Sequence, residues 1–411
     1  MLKLEQKYID LVNKCESDLK DIFDSIDKNT LLNSKKVLDA FHNVNISDSD
    51  LIGTNGYGYN DIGREKIEKI FSYVLDSEDA LVRTQIISGS HAISTALFAI
   101  LRPGDTLLAI SGTPYDTLHE VIGIKHNNSS LISYGIKYKE IDLIDNDFDY
   151  DKIKQVLENN VKVIHIQRSR GYSLRESLTI DKIEKVIKFI KDINKDIIVF
   201  VDNCYCEFVE DTTPTSVGAD LMAGSLIKNL GAGIAQNGGY IAGKSDLIEL
   251  CAERLNIPGE GREVGPSQNA NREFLQGIYF APSVVSSALK TSILTSKVLE
   301  ELGYEVHPRY NEKRADIVQL IYFKNENNII KYTEGVQSSG AINANVSPIP
   351  APMPGYDDKI IMASASFVQG SSIEISCDGP LKEPYVLFQQ GSLTYDYGKL
   401  ALINAISKLN E

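Results

Sequence analysis

The stretch DIIVFVDN, residues 196–203, contains the uninterrupted apolar run IIVFV. A strand that does not alternate between apolar and polar residues is typical of a sheet covered on both faces. Similar short runs recur along the chain, and amphipathic segments such as Ile180–Ile193 follow several of them: ALVRTQII (80–87), DTLLAI (105–110), VKVIHIQ (161–167) and ADLMAGSLI (219–227). Strands that alternate with helices predict an α/β fold with a mostly parallel sheet and right-handed crossovers.

The regions on either side of this pattern differ from it. Residues 1–50 read as an N-terminal helical arm, which would pack on a neighbouring subunit or simply cap its own chain. We assign residues 51–283 to a large α/β domain. Residues 284–411 begin with a long helix predicted over 284–302 and include the proline-rich stretch NVSPIPAPMPGYDDK (345–359), which indicates a smaller α+β C-terminal domain.

Composition restricts the classes of partner. The chain has 411 residues and a net charge of −14, which argues against nucleic acid or an anionic membrane as a partner. The five cysteines are few and odd in number, which is typical of reduced thiols. We see no signal peptide and no apolar run of membrane-spanning length, so we expect a soluble cytoplasmic protein.

Lys228 is the only charged residue of GSLIKNLGAGIAQNGGYIAG, residues 224–243. Its ordinary interpretation is a solvated lysine in a glycine-rich loop. Keeping a buried lysine charged, however, costs the folded protein about 1.4 kcal/mol of stability for each unit by which the pKa of that lysine falls. A buried lysine therefore needs a partner or must become neutral. An imine with an aldehyde cofactor makes it neutral and makes it a catalyst. Pyridoxal phosphate is such a cofactor, and it needs an acid for its ring nitrogen and a site for its phosphate.

Both features occur upstream of the lysine. Asp202 directly follows IIVFV, at the carboxyl end of a predicted strand, where open α/β sheets bind their ligands. Its carboxylate could pair with a protonated pyridine nitrogen, or it could merely cap a turn. Gly89 and Ser90 precede a predicted helix whose free N–H groups would suit a phosphate, and Ser225 could add a hydroxyl.

Three nearby side chains have simpler interpretations. His91 stands at a predicted helix start, where it would stack on a cofactor ring or cap the turn. Cys204 and Cys206 lack the spacing of a metal site and have no second pair, so we interpret them as small buried thiols and predict no metal site.

Longer motifs carry a family resemblance. They are TNGYGYNDIGRE, SGSHAI, LRPGDTLLAISGTPYDTL, QRSRGYSLRESL, VDNCYCEFVE and SLIKNLGAGIAQNGGYIAG, and together they span nearly the whole chain. The sequence resembles the methionine γ-lyase-related family, whose members are often labelled aluminium resistance proteins or cystathionine β/γ-lyase-like proteins. These are fold-type I pyridoxal-phosphate enzymes. The resemblance therefore implies a mostly parallel large domain with a smaller α+β C-terminal domain.

The resemblance also implies roles for individual residues. Lys228 would bind the cofactor covalently and then move protons at the substrate Cα. Asp202 would pair with the ring nitrogen, and Tyr115 would stack on the ring and act as acid or base for the departing group, unless it is a core or turn tyrosine. The phosphate would be held by Gly89, Ser90, His91 and Ser225.

The sequence departs from the family pattern in two places. Tyr57 and Tyr59 lie where related enzymes send a Tyr and an Arg into the neighbouring subunit's phosphate site, but here Arg64 is several residues too late. No arginine follows Arg314, although such enzymes usually bind the substrate carboxylate with a C-terminal Arg. The candidates for this role, each of which could equally form a structural ion pair, are Arg168, Arg170, Arg175 and Lys382.

We therefore expect a pyridoxal-phosphate-dependent carbon–sulfur lyase that acts on a sulfur amino acid such as cystathionine, cysteine or methionine by β- or γ-elimination. We expect a homo-oligomer, dimer or tetramer, with active sites near the subunit interface. One alternative is another pyridoxal-phosphate enzyme of amino acids, either an aminotransferase or an aldolase. A second alternative is a metal-tolerance protein with little turnover, which would use its surplus of carboxylates.

Overall fold

The computed structural model describes residues 4–157, 160–353 and 358–409. Its helices are α1 Gln6–Ser17, α2 Lys20–Val44, α3 Ile62–Val74, α4 Gly89–Ile100, α5 His119–Ile122, α6 Tyr150–Leu157, α7 Ile180–Ile193, α8 Ser245–Leu255, α9 Ala270–Glu301, α10 Glu326–Ser338 and α11 Tyr395–Leu409. Its strands are β1 Asp79–Arg83, β2 Thr106–Ala109, β3 Lys137–Glu140, β4 Val161–Gln167, β5 Ile198–Asp202, β6 Leu221–Ser225, β7 Gly239–Gly243, β8 Glu305–His307, β9 Gln319–Tyr322, β10 Ile360–Ser364, β11 Ser376–Pro380 and β12 Val386–Gln390.

A seven-stranded sheet with the order β1-β7-β6-β5-β4-β2-β3 forms the first half of the fold. The pairs from β6 through β5, β4 and β2 to β3 are parallel. Strand β7 runs antiparallel to both of its neighbours, β1 and β6. The prediction of a mostly parallel α/β sheet is thus confirmed.

Apolar side chains cover both faces of this sheet. On one face, Ile93 and Leu97 of α4 join a buried cluster with Ile248 of α8 and the sheet residue Phe200. On the other face, residues of α3 and α7, such as Phe71 and Ile187, pack with alternate residues of the same strands. This two-sided burial is the physical reason for the uninterrupted apolar runs in the sequence.

The carboxyl ends of the central strands meet at one edge of the sheet. Gln167, the last residue of β4, pairs in register with Asp202, the last residue of β5. Asp202 in turn pairs with Ala223 of β6, which ends two residues later at Ser225. The polar residues that follow the apolar runs therefore collect at the edge where open α/β sheets bind ligands.

A five-stranded antiparallel sheet of order β10-β11-β12-β9-β8 forms the second half. Its core includes residues of α1, α10 and α11, such as Val12, Tyr332 and Ile406. The two halves share α9, which contributes Ile278 to the first core and Leu294 to the second.

Two helical predictions need comment. The long helix predicted over 284–302 begins at Ala270 instead, because the apolar pattern continues through the internal Pro282. The predicted boundary between 283 and 284 lies inside this helix, and the domain division stays a prediction.

The N-terminal arm packs on its own chain, with α1 against α9 and α11 and α2 against α3 and α9. Among the described residues, no helix combines the length and the apolarity needed to cross a membrane.

Candidate active site

A cavity of about 220 Å³ lies at the carboxyl edge of the parallel strands. Six of the eight residues predicted to be catalytic or to bind the cofactor line this single cavity, although they come from four separate segments of the chain. These residues are Gly89, Ser90, Tyr115, Asp202, Ser225 and Lys228.

Lys228 follows β6 by three residues, and its side chain is half-buried. Its Nζ atom lies 4.1 Å from the centroid of the Tyr205 ring. Within the described part of the chain, this ammonium makes no hydrogen bond and no ion pair that would hold it elsewhere. Tyr205 has a left-handed backbone with φ of 71°, and its hydroxyl lies 3.0 Å from the Ser372 hydroxyl of the second half.

The surrounding charges act on Lys228 in opposite directions. Burial lowers the pKa of its ammonium, but Cys204, Tyr205, Asp202 and Glu207 together raise that pKa above its ordinary value. Burial also raises the pKa values of the Cys204 thiol and the Tyr205 phenol, so neither carries charge at neutral pH. Because its pKa is raised, the bare Lys228 side chain is an ammonium at neutral pH.

Asp202 is held rigidly at the end of β5. Its side chain is 6% exposed, and Oδ1 accepts a hydrogen bond from the Cys204 amide at 3.1 Å. Its carbonyl accepts from the Arg168 amide at 3.1 Å. This arrangement fixes a buried carboxylate on the wall of the cavity, where it can accept a hydrogen bond from a protonated ring nitrogen.

The start of α4 forms an anion cup. Ser88 caps the helix by accepting from the His91 amide at 3.1 Å, whereas the first turn presents further amides to the cavity. A Cβ at Gly89 would lie 3.1 Å from Cys204 Sγ and 3.3 Å from Ser225 Cβ, so only glycine fits without displacing them. The hydroxyls of Ser90 and Ser225 stand beside this turn. A helix N-terminus with serine hydroxyls beside it is the kind of site that binds a phosphate.

Tyr115 lines the same cavity, where it is half-buried. Gly171 has φ of 57°, and a Cβ there would come within 3.0 Å of the Tyr115 ring. The Tyr115 ring also lies 6.2 Å, centroid to centroid, from Tyr172. A short glycine contact and a second aromatic ring therefore set the position of Tyr115.

Two of the residues predicted to bind the cofactor, His91 and Tyr57, lie outside this set. The His91 ring accepts a hydrogen bond at Nδ1 from the Ile87 amide at 3.2 Å, and His91 is not among the described residues that line the cavity. The geometry favours the turn-capping interpretation of His91. Tyr57 is 74% exposed and stacks on Tyr59 at 5.7 Å. Arg64 is buried and donates to the carbonyls of Gly58 and Gly265, so it braces this loop.

The four candidates for binding the substrate carboxylate differ in the hydrogen bonds and ion pairs that their side chains already make. Arg168 donates to the Leu178 carbonyl and Asn203 and pairs with Glu210. Arg175 donates to three backbone carbonyls. Lys382 is exposed and pairs with Asp358. Arg170 is the exception, because Nε and Nη1 of its buried guanidinium have no hydrogen-bond partner among the described residues.

Sequence reasoning missed several site residues. Tyr205 and Glu207 belong to the motif VDNCYCEFVE, so their nearness to Asp202 in the sequence could have identified them. Asp378 on β11 belongs to no motif that would have identified it. Burial raises the pKa of Glu207 to about 7, and Tyr240 donates to its Oε1 at 2.7 Å. Burial also raises the pKa of Asp378 to about 7, although hydrogen bonds from Tyr172 and Gln390 act to lower this pKa.

Comparison with known proteins places these features in a family. The family model described as Methionine gamma-lyase matches residues 8–410. The uncharacterised protein YnbB of Bacillus subtilis is 47% identical over 397 residues, which cover 96% of this chain and 94% of that protein.

Solved structures give the same assignment. A structure from Clostridium novyi, described as a carbon-sulfur lyase involved in aluminum resistance, has a TM-score of 0.94 and 43% identity and covers 98% of this chain and 96% of that one. The pyridoxal-5'-phosphate dependent protein YhfS of Escherichia coli has a TM-score of 0.62 at 17% identity, covering 93% and 97% of the two chains, and shares the fold. The chain belongs to the methionine gamma-lyase family and has the fold of the type I pyridoxal-phosphate enzymes.

Proposed function

We propose that this protein is a pyridoxal-phosphate-dependent carbon–sulfur lyase that acts on a sulfur amino acid by β- or γ-elimination. The observation that carries the proposal is the single cavity lined by Lys228, Asp202 and the anion cup at the start of α4. An amine, a carboxylate and a phosphate site are the three groups that this cofactor requires.

When bound, pyridoxal phosphate would supply an aldehyde for the Lys228 amine and a ring that accepts electrons from the substrate Cα. The amides of Gly89 and Ser90, with the Ser225 hydroxyl, would hold its phosphate. Asp202 would keep a proton on its ring nitrogen. Once the substrate amine has taken its place, the Lys228 amine would remove the Cα proton.

The leaving thiol needs a proton donor on the far side of the cavity. Tyr115 lines the cavity, and its ring position is set by Gly171 and Tyr172. Its hydroxyl would donate a proton to the departing sulfur atom, while its ring face would cover the cofactor.

A second, larger cavity of about 620 Å³ adjoins the first and shares Tyr115 and Gln167 with it. Charged side chains of both signs line it, including Asp142, Arg170 and Lys382. Such a lining suits a sulfur substituent that itself carries charged groups, as cystathionine does, better than the methyl group of methionine. We therefore propose a cystathionine-like substrate.

We also propose that the protein works as a homo-oligomer in which Tyr57 reaches the neighbouring subunit's phosphate site. The support is its 74% exposure and its stacking on Tyr59 in a loop braced by Arg64. If the proposal holds, Tyr57→Ala weakens cofactor binding in the oligomer measured by sedimentation, whereas Tyr134→Ala, at another exposed tyrosine outside the cavity lining, does not.

The function is tested with the cofactor-loaded protein and cystathionine. Free thiol and keto acid are assayed in one reaction and transfer of the amine to an added keto acid in another. Thiol release that depends on cystathionine supports the proposal. Amine transfer without thiol, or the absence of any turnover with cystathionine, cysteine and methionine, would contradict it.

A further inference from the structure

Arg170 is a buried charged side chain near the candidate active site, and it makes no ion pair with the described residues. It is 1% exposed, and its hydrogen bonds with the described residues involve only its backbone: the amide donates to Asp316 Oδ2 at 3.4 Å, and the carbonyl accepts from the Ser173 amide at 3.0 Å. Its guanidinium atoms Nε and Nη1 are buried without a partner among the described residues. A buried guanidinium without an anion is costly, so it indicates a site completed by something the chain itself does not provide.

The position of Arg170 links it to the reaction centre. Its two chain neighbours, Ser169 and Gly171, line the cavity that contains Lys228. Arg170 itself lines the adjoining larger cavity, and Tyr115 and Gln167 line both. Arg170 therefore stands at the junction of the two cavities, beside the expected substrate.

The guanidinium groups of Arg175 and Arg314 interact electrostatically with Arg170, although the protein carries −14 overall. The carboxylate of Asp316 acts on both Arg175 and Arg314. Asp316 is already engaged, since Ser169 and Ser177 donate hydroxyls to it at 2.9 and 2.5 Å. Burial and the nearby charge of Arg170 lower the pKa of Arg314 to about 9, whereas the charge of Asp316 raises it. Arg170 therefore has two cationic neighbours that repel it, and an added anion would offset this repulsion.

We propose that the guanidinium of Arg170 binds the α-carboxylate of the amino-acid substrate, a role that rests on the proposed function. The planar fork of the side chain would bind both carboxylate oxygens at once. The anchor would then come from the segment after β4 of the large sheet, in a chain that has no arginine beyond Arg314.

The test measures binding of two matched amines to the cofactor-loaded protein by its visible absorbance. L-Alanine carries the α-carboxylate, whereas isopropylamine has the same skeleton with a methyl group in its place. The variants are Arg170→Gln and Arg170→Lys. Lys382→Gln tests the rival candidate in the same cavity, and Lys137→Gln, at an exposed lysine of β3 outside both cavity linings, is the control.

We expect Arg170→Gln to weaken L-alanine binding roughly 10- to 100-fold and to leave isopropylamine binding unchanged. The affinity of Arg170→Lys for L-alanine should lie between those of the parent protein and Arg170→Gln, because an ammonium keeps the positive charge but lacks the two parallel donors of a guanidinium. Lys137→Gln should bind both amines as the parent protein does, and Lys382→Gln should keep the parent's preference for L-alanine over isopropylamine. The ratio of the two affinities is taken within each variant, so a general loss of fold cannot imitate the result.

Unchanged L-alanine binding in Arg170→Gln, or equal weakening of both amines, would overturn the assignment while the lyase proposal stands. A shift confined to Lys382→Gln would transfer the role to Lys382 and likewise overturn it. A parent protein with no visible cofactor band would contradict the proposed function itself, and the assignment of Arg170 with it.

Discussion

The Nζ atom of Lys228 lies 4.1 Å from the centroid of the Tyr205 ring. Tyr205 follows Asp202 by three residues in the sequence. The left-handed backbone of Tyr205, with φ of 71°, turns the chain back after β5 and brings the ring over the lysine. Tyrosine is rare in this conformation because its Cβ crowds the backbone. The strain is offset by contacts at both ends of the side chain, Lys228 and Ser372.

The Tyr205 ring should position the lysine for reaction. We expect Tyr205→Leu to lower kcat/KM for thiol release between about twofold and thirtyfold, the range of a cation–π contact. Tyr205→Phe keeps the ring and should stay within about threefold of the parent protein. Equal losses in the two variants would show that the hydroxyl, through Ser372, matters more than the ring face.

Asp202→Asn should keep the shape of the site but remove its charge. Because the carboxylate would stabilise the protonated ring nitrogen, we expect kcat to fall by about 10²-fold or more. Cofactor content, measured by absorbance after denaturation, should change much less. A variant with full cofactor and unchanged kcat would contradict the assigned role.

Gly171→Ala tests the contact that positions Tyr115. The new Cβ would lie 3.0 Å from the Tyr115 ring at a residue with φ of 57°. Gly104→Ala is the matched control, because Gly104 has φ of 95° but nothing within 4 Å of the added Cβ. Both changes should cost about 1 kcal/mol in the free energy of unfolding. Only Gly171→Ala should also reduce kcat/KM, and equal kcat/KM in the two variants would contradict this account of Tyr115.

Glu207 should make stability depend on pH. Burial raises its pKa from 4.5 to about 7, so the folded protein holds a proton that the unfolded chain releases in this interval. Its contribution is therefore greatest below pH 4.5 and is lost as the pH rises through about 7, by about 3 kcal/mol in the free energy of unfolding.

Glu207→Gln should flatten this decline and raise stability at pH 8 relative to the parent, measured by urea unfolding of the cofactor-free protein at pH 5 and pH 8. Tyr240→Phe should steepen it, because Tyr240 donates to Glu207 Oε1 and so lowers the pKa of the carboxyl. Parallel pH profiles for the parent and Glu207→Gln would contradict the assignment.

Local patterns predicted the parts of the fold that depend on neighbours in the chain. Strand β4 and helix α7 lie where the apolar runs placed them, because each buries an uninterrupted face. Strand β7, GYIAG, was missed because its glycines weaken the strand signal. They are needed for space: a Cβ at Gly243 would lie 2.1 Å from the Asp220 carbonyl oxygen.

The candidate site was predictable to a similar extent. Lys228, Asp202 and the turn at Gly89 follow strands, so the carboxyl edge of the sheet brings them together. The unpartnered guanidinium atoms of Arg170 could not be told from those of its neighbours, because Arg168 pairs with residues far along the chain and the carbonyls that bind Arg175 are brought to it only by the folded turn. Asp378 reaches the site from the second sheet, which no local pattern could indicate.

The central claim is a covalent bond between the Lys228 amine and the aldehyde of pyridoxal phosphate. Borohydride reduction of the loaded protein, followed by peptide mass spectrometry, locates that bond directly. We predict one pyridoxyl-modified residue, Lys228, with the label kept in Lys244→Ala and lost in Lys228→Ala. A label on another lysine, or an unmodified Lys228 peptide in the loaded protein, would contradict the account.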